Sequence, residues 1–195
     1  MSRKTDKTRT HILEVALSML EDSQGRGVRM ADIAKQAGVS RQAIYLHFRS
    51  RAELMNATTH FLDEKLQLES RLMPSRTAAT GQQRLTAYIE FWGEYIPEMY
   101  SAAKAMLLLQ ETDAAAAAAW KDRMLAMREG CAAAVASLQS DNQLAPEWTL
   151  DTATDLLWTL LSVPNWENLT HECGWSSQAY IDRMTIVANR ALLTT

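Results

Sequence analysis

The chain has 195 residues, of which 47% are hydrophobic and 22% are charged, and its formal net charge is −3. This composition is typical of a soluble globular protein and excludes a largely disordered chain. No stretch approaches the roughly 18 uninterrupted apolar residues of a membrane helix, and the basic N-terminus lacks the apolar core of a signal peptide, so we expect a cytoplasmic protein.

Helical patterns dominate, and no β-branched run alternates long enough to predict a sheet. The expected fold class is therefore all-α, with about nine helices. They are predicted at about Lys7–Asp22, Met30–Ala37, Arg41–Phe48, Ser50–Leu72, Gln82–Tyr95, Pro97–Glu111, Ala114–Leu138, Pro146–His171 and Ser177–Leu193. Asp113 is a suitable N-cap for the alanine run that follows it. Pro164 is expected to kink or interrupt the penultimate helix.

Charge is unevenly distributed between the first helices and the rest. Residues 1–51 contain ten Lys/Arg and five Asp/Glu, a net charge of +5, whereas the remaining residues carry −8. Such asymmetry predicts a polyanion-binding module joined to a module with another role. We therefore expect one domain over residues 1–51 and a second over residues 52–195.

The segment MADIAKQAGVSRQAIYLHF, which starts at Met30, meets the requirements of a helix-turn-helix: two helices joined by a turn of three or four residues. Gly38 can adopt the left-handed conformation that ends the first helix. Ser40 can cap the second helix by accepting a backbone N–H. Ile44 and Phe48, four residues apart, can anchor that helix to a core. The segment thus predicts a recognition helix.

The opposite face of that second helix is polar. Arg41 can bond guanine and Gln42 can bond adenine in the major groove, and both lie in the first turn, which reaches base edges. Tyr45 and His47 are better placed for phosphates. The alternative is a tight helical hairpin whose polar face is merely solvated. The turn glycine, the cap and the local positive charge together favour DNA binding.

The segment from Thr10 to Leu54 resembles the DNA-binding domain of the TetR family of repressors. The matching residues are Asp32-Ile33-Ala34, Ala37-Gly38-Val39-Ser40, Ile44-Tyr45, His47-Phe48, Arg49-Ser50-Arg51 and Glu53-Leu54. The resemblance implies a three-helix head, a long fourth helix and a larger helical domain for ligand binding and dimerisation. Two positions depart from it: Arg29 replaces the frequent Ser or Thr cap, and Arg51 replaces a frequent lysine. The expected DNA-binding residues are Arg29, Ser40, Arg41, Gln42, Tyr45, His47 and Arg51.

All six tryptophans and most of the ten methionines follow the head. Together with the resemblance, they predict an apolar pocket for a small molecule, although the same residues also fill ordinary helical cores. The candidate ligand-binding residues are Trp92, Tyr95, Met106, Gln110, Trp120, Met124, Trp158, Asn165 and Trp166.

No cofactor or metal is expected. His60 and Glu64, four apart, are more often a surface pair than metal ligands. Cys131 and Cys173 lack metal-site spacing, and we interpret them as idle thiols, with a redox pair as the alternative.

The last two helices carry apolar stripes that we interpret as a dimer surface. The stripe residues singled out are Leu156, Leu160, Tyr180, Met184, Val187, Ala188 and Ala191. The resemblance implies that these helices from two subunits form a four-helix bundle. Dimerisation also follows from specificity, because one short recognition helix reads few bases, whereas a two-fold pair reads half-sites about 34–36 Å apart.

The sequence therefore favours a repressor that binds a palindromic operator as a homodimer and is released by a small apolar or aromatic effector. One alternative is a DNA-binding regulator that senses no ligand and acts through a protein partner. A second is an all-helical enzyme, but G-x-S-x-G, P-loop and H-E-x-x-H motifs are absent from the sequence. We therefore expect no enzymatic activity.

Overall fold

Amphipathic helices account for the whole architecture, which confirms the all-α expectation. The computed structural model describes residues 3–23 and 26–194, without the side chains of residues 3–5, and these residues form eleven α-helices and no strand. None of the described helices is long and apolar enough to cross a membrane. The helices are α1 (Arg3–Asp22), α2 (Met30–Gln36), α3 (Arg41–His47), α4 (Arg51–Lys65), α5 (Leu68–Arg71), α6 (Met73–Arg76), α7 (Gly81–Leu109), α8 (Ala114–Ser140), α9 (Leu150–Leu160), α10 (Val163–Glu167) and α11 (Ser177–Leu192).

The chain divides into two compact units. The first contains Met1–Leu66 and Met99–Arg123, and the second contains Gln67–Glu98 and Met124–Thr195. Helices α7 and α8 therefore contribute residues to both units. The first unit includes the predicted helix-turn-helix, and the second includes most of the tryptophans.

The core of the first unit begins with the apolar stripe of α1. Its members Ile12, Leu13 and Ala16 are at most 3% exposed, because residues three and four apart share one face of a helix. The stripe packs with the apolar sides of α2, α3 and α4. The core members from those helices and from the residues next to their ends are Val28, Met30, Ile33, Ala34, Ala37, Ile44, Phe48 and Leu54.

The fourth helix is shorter than expected. We predicted that it would run to about Leu72, but α4 ends at Lys65, and the prediction is wrong. Gln67 adopts the left-handed conformation with φ of 56°, which interrupts the helical hydrogen bonds before α5 begins. Leu54, Phe61 and Leu68 recur every seven residues, and the first two contact the core of the first unit, but this spacing alone does not show where the packing ends.

One helix, α7, replaces the two that we predicted on either side of Pro97. A proline inside a helix removes one backbone hydrogen bond and costs about 3 kcal/mol. Here its ring lies on the exposed side, whereas the neighbouring Tyr95 and Ile96 are at most 1% exposed. The burial of apolar side chains before and after the proline offsets the local penalty.

The prediction for Pro164 is confirmed, because the helix is interrupted there. Helix α9 ends at Leu160, and α10 begins at Val163 with the Ser162 side chain as its N-cap and Pro164 in its first turn. A π-helical turn, Asn168–Glu172, follows. The predicted start at Pro146 is wrong, since the capping box of Thr149 and Thr152 starts α9.

Candidate functional site

The turn between α2 and α3 has the geometry that the sequence predicted. Gly38 has φ of 64°, a region that side chains other than glycine rarely adopt. The Val39 N–H donates to the Ala34 carbonyl at 3.0 Å. Ser40 Oγ accepts a hydrogen bond from the Ala43 N–H at 3.0 Å. The helix-turn-helix is therefore confirmed, together with its glycine and its cap.

The underside of α3 fixes its orientation. Ile44 and Phe48 are 0% exposed, as expected for anchors. The guanidinium carbon of Arg9 in α1 lies 5.1 Å from the centre of the Phe48 ring, a cation–π contact that adds to the burial. Because both anchors lie on one side, the opposite side of α3 is presented to solvent.

That opposite side forms one continuous surface, which we call the exposed face: Arg41, Gln42, Tyr45 and Leu46. At 100° per residue, these four positions span an arc of about 140°. Arg41 and Gln42 are exposed, and Tyr45 is 41% exposed. Three of the predicted DNA-binding residues therefore lie together, and the first two lie in the first turn, as direct reading of base edges requires.

Leu46 is the member of the exposed face that the sequence interpretation missed. Its side chain is 82% exposed. The signal was present, because Leu46 follows Gln42 by four residues and so lies on the same stripe of the helix.

The other predicted residues of the head lie around this face. His47 is half-buried, with its ring centre 6.4 Å from that of Phe48. Arg29 is exposed at the N-cap of α2, and its side chain makes no capping hydrogen bond. The expected loss of that cap is confirmed, and the Arg29 guanidinium is accessible to an anion.

The Arg51 side chain, at the start of α4, is bonded to other residues of the chain. Its Nε donates to the Val28 carbonyl at 2.8 Å. Its guanidinium pairs with the Asp113 carboxylate at 2.5 Å, and only 27% and 13% of the two side chains are exposed. No local pattern indicates this partner, because it lies 62 residues away along the chain. Arg51 thus links the loop before α2 to the start of α8.

Asp113 has a second role, as the N-cap of α8. It accepts the Ala115 and Ala116 N–H groups at 3.0 and 3.2 Å, as expected for the residue before an alanine run. Burial by itself would raise the pKa of Asp113. The hydrogen bonds from Arg51 and from these backbone groups outweigh it and hold the pKa below its ordinary value.

Two further side-chain contacts connect α4 to α8 in the first unit. Asp63 pairs with Arg123 at 2.5 Å, and His60 lies 3.4 Å from Asp122. His60 therefore has a carboxylate neighbour other than Glu64. The described residues contain no cluster of three or more metal-ligand side chains.

The Ser40 cap allows a first quantitative prediction. Ser40→Ala should destabilise the chain by about 1 kcal/mol, because α3 loses the acceptor for one backbone N–H. Asparagine caps a helix as well as serine does, so Ser40→Asn should retain most of the stability. Urea unfolding of both variants measures the difference. Equal stability of Ser40→Ala and the parent would contradict the role given to this hydroxyl.

The second unit contains an aromatic cluster on α7: Tyr88, Phe91, Trp92 and Tyr95. All four are at most 6% exposed. The Phe91 ring centre lies 5.1 Å from that of Trp92 and 5.0 Å from that of Tyr95. The Arg71 guanidinium lies 5.4 Å from the Tyr95 ring centre and pairs with Glu98 at 2.7 Å. Aromatic packing and a cation–π contact therefore stabilise this part of the core.

Gly130 on α8 makes room for this cluster. The Tyr88 hydroxyl donates to the Met127 carbonyl at 2.9 Å, and a Cβ at Gly130 would overlap that hydroxyl. Gly130→Ala should therefore destabilise the chain by about 2 kcal/mol, which is typical of overpacking. A suitable control is Gly27→Ala, because a Cβ there would lie 4.0 Å from its nearest neighbour. Thermal unfolding measures the stability of both variants. A Gly130→Ala midpoint equal to that of the parent would contradict the steric argument.

The predicted ligand-binding residues do not all lie in one unit. Those in the second unit are Trp92, Tyr95, Met124, Trp158, Asn165 and Trp166, and those in the first are Met106, Gln110 and Trp120. Within the second unit, Trp92 and Tyr95 are in contact, with ring centres 5.7 Å apart. The Asn165 amide donates to the Leu160 carbonyl at 2.7 Å. The buried indole nitrogen of Trp158 has no hydrogen-bond partner in the described part of the chain.

A groove with a volume of about 500 Å³ lies between α7 and α11. None of the predicted ligand-binding residues lines it. Its lining is partly acidic and consists of Thr86, Glu90, Glu94, Gln178, Ile181, Asp182, Thr185 and Ile186.

The residues predicted for the dimer surface differ in exposure. Tyr180, Met184 and Ala188 are at most 5% exposed within the chain itself. Val187 is 43% exposed, and its neighbour Ile186, which we had not singled out, is 41% exposed. Leu156, Leu160 and Ala191 are half-buried. The apolar surface that α11 presents to solvent is therefore centred on Ile186 and Val187.

The two cysteines are free thiols in different environments. Cys131 is buried and Cys173 is exposed. Burial raises the pKa of the Cys131 thiol to about 12, which keeps it protonated and unreactive at neutral pH.

Comparison with known proteins agrees with this geometry in the head. Residues 12–58 match the family model described as bacterial regulatory proteins, tetR family. Over 66 residues the chain is 42% identical to the nucleoid occlusion factor SlmA of Marinomonas sp. (strain MWYL1), and the match covers 34% of each chain. The chain thus matches about a third of the length of this curated relative.

Solved structures share the fold of nearly the whole chain. A structure described as a TetR-family transcriptional regulator from Rhodococcus sp. has a TM-score of 0.74 at 17% identity, over 96% of this chain and 99% of that one. NalD of Pseudomonas aeruginosa, the secondary repressor of the MexAB-OprM multidrug efflux pump, has a TM-score of 0.68 at 20% identity, over 98% of each chain. At these identities the likeness shows the fold, which is the fold of TetR-family structures.

Proposed function

We propose that this chain, a TetR-family protein by its DNA-binding domain and its fold, is a ligand-released repressor that binds a palindromic operator as a homodimer. The observation that carries the proposal is the exposed face of α3. Its polar members are presented together on a helix that Gly38, Ser40 and two buried anchors orient. The positive charge of residues 1–51 supplies the attraction to phosphates.

The residues predicted to bind DNA fall into groups with different proposed roles. Arg41 and Gln42 read base edges in the major groove. Tyr45, His47 and Arg29 contact phosphates and set the register of the domain. Ser40 acts through the helix, since its hydroxyl is engaged as the cap. For Arg51 we propose a supporting role in DNA binding, because its guanidinium is engaged by Asp113.

Specificity favours a dimer, because a two-fold pair of recognition helices reads twice as many base pairs as one. The exposed apolar side chains of α11, Ile186 and Val187, support a second copy docking there. Leu156, Leu160 and Ala191, which are half-buried, are the further proposed contributors. The half-sites would then lie about 34–36 Å, or a multiple of that distance, apart.

The aromatic core of the second unit supports an apolar or aromatic effector. Trp92 and Tyr95 are aromatic side chains in contact with each other, and the unpaired indole N–H of Trp158 is the proposed donor to a polar group of the effector. Release of DNA requires only that the effector prefer the form that does not bind DNA, typically by about 1–3 kcal/mol. The side-chain contacts between α4 and the first residues of α8 are the proposed route by which movement of α8 reaches the head.

The proposal is tested by selecting duplexes from a random-sequence library with the purified chain and measuring gel retardation of the enriched duplexes. We expect a near-palindromic operator and a complex of two chains per duplex. Indole and 1-naphthol serve as neutral aromatic probes for release of the complex. Failure to enrich or retard any duplex at modest salt would refute DNA binding.

A regulator without a small-molecule effector, acting through a protein partner, is the second candidate. The tight packing of the aromatic cluster favours it, because a core filled by its own side chains leaves little room for a ligand. The two candidates differ in their response to ligands. An operator complex that no apolar or aromatic compound in a broad panel releases would favour the partner-dependent regulator.

A further inference from the structure

Leu46 has the most exposed side chain among the large apolar residues of the described chain. It is 82% exposed, whereas the next most exposed, Leu125, is 52% exposed. Isolated apolar side chains are common on protein surfaces. The position of this one, on the exposed face of the recognition helix, is what distinguishes it.

Leu46 lies on the same exposed face of α3 as its polar neighbours. It lies one helical turn after Gln42 and directly follows Tyr45 in α3. The helix cannot rotate to bury it, because Ile44 and Phe48 are 0% exposed on the opposite side. A partner that binds Arg41 and Gln42 on this face therefore also contacts Leu46.

Double-stranded DNA offers one apolar partner in the major groove, the C5-methyl group of thymine. The other base edges present hydrogen-bond donors and acceptors, which an approaching leucine would desolvate without compensation. The net charge of +5 over residues 1–51 favours DNA over a protein as the occupant of this surface. Gln42 reads adenine in the same stripe, so an A·T-containing step satisfies both side chains.

We propose that Leu46 contacts a thymine methyl group and thereby selects thymine at one position of each operator half-site. This inference rests on the proposed function, and it adds an apolar specificity determinant to the polar residues of the exposed face. It predicts that the selected half-site contains a thymine whose methyl group contributes to affinity.

The test uses the operator that the full-length chain enriches from the random-sequence duplex library. Each thymine of the half-site is replaced in turn by deoxyuridine, which lacks only the methyl group. One replacement should weaken binding of the parent chain about fourfold per half-site, as expected for the loss of one buried methyl. Leu46→Ala should weaken binding to the thymine operator about tenfold and abolish the sensitivity to deoxyuridine at that position.

Leu125→Ala is the matched control, because it removes another exposed leucine outside the predicted DNA-binding domain. It should leave affinity and deoxyuridine sensitivity unchanged. If the parent enriches an operator but no deoxyuridine weakens binding, the inference fails while the proposed function stands. The same holds if Leu46→Ala retains the full sensitivity. If the parent enriches no duplex, both fail. The deoxyuridine series on the parent chain needs no variant to fold.

Discussion

Replacing Arg41 and Gln42 together by alanine is expected to weaken operator binding about 100-fold or more and to leave the stability of the chain unchanged. Each side chain can make a bidentate contact to a base, worth about 1–3 kcal/mol of discrimination. Two such contacts in each of two half-sites sum to at least about 4 kcal/mol, which exceeds the 2.8 kcal/mol or so that a 100-fold change requires. Gel retardation with the selected operator gives the affinity, and urea unfolding gives the stability.

Both side chains are exposed, so the fold should tolerate their removal. Binding to random-sequence DNA should change much less than binding to the operator, because the proposed phosphate contacts of Tyr45, His47 and Arg29 persist. Lys121→Ala with Gln139→Ala is the control, since it removes one positive charge and one amide from other exposed positions. Parallel losses of affinity for operator and random DNA would mean that Arg41 and Gln42 contact only the backbone of the duplex.

Removing the Asp113 carboxylate is expected to have the largest effect on stability, about 3 kcal/mol for Asp113→Ala. About 1 kcal/mol comes from the lost N-cap of α8. The rest comes from Arg51, which keeps its charge in a site where only 27% of its side chain is exposed. Leaving one member of a largely buried pair without its partner is strongly destabilising. Urea unfolding at pH 7 measures the sum.

Asp113→Asn separates the two contributions. Asparagine caps a helix as well as aspartate does, so this variant loses only the charge that faces Arg51. We expect it to retain the cap and to be less destabilised than Asp113→Ala by about 1 kcal/mol. Equal losses for the two variants would show that the backbone cap contributes nothing.

The low pKa of Asp113 also predicts a pH dependence. A carboxyl whose pKa is lower in the folded than in the unfolded chain stabilises the fold above its unfolded pKa of about 4. That contribution is lost as the pH falls through the folded value. The free energy of unfolding of the parent should therefore decrease more between pH 7 and pH 3 than that of Asp113→Asn. An identical pH dependence in both would contradict the assignment.

The Arg51–Asp113 pair has a consequence for the proposed release of DNA. Arg51 holds the Val28 carbonyl just before α2, and Asp113 starts α8. If α8 moves when an effector binds, this pair transmits the movement to the head. Asp113→Asn should then bind the operator but respond less to an effector that releases the parent chain.

The amino-acid sequence by itself determined the helix-turn-helix and its resemblance to the DNA-binding domain of the TetR family. The reason is that the motif is local: a glycine for a left-handed φ, a serine cap and two anchors four residues apart act within 20 residues of one another. The all-α fold and the interruption at Pro164 were predictable for the same reason. Each depends on backbone conformation and on hydrogen bonds between neighbours in the chain.

Tertiary packing alone decided where the longer helices end and which side chains face solvent. Helix α7 continues through Pro97 because apolar side chains around it, such as Tyr95 and Ile96, are buried. Helix α4 ends before the left-handed Gln67, although the seven-residue apolar spacing continues beyond it. The partner of Arg51 is 62 residues away, beyond the reach of any local pattern. Leu46 was visible in the sequence, but only the burial of Ile44 and Phe48 showed that it faces outward. Helix ends and side-chain exposure depend on the balance between local helix propensity and long-range burial. The apolar pattern of one helix carries no information on that long-range burial.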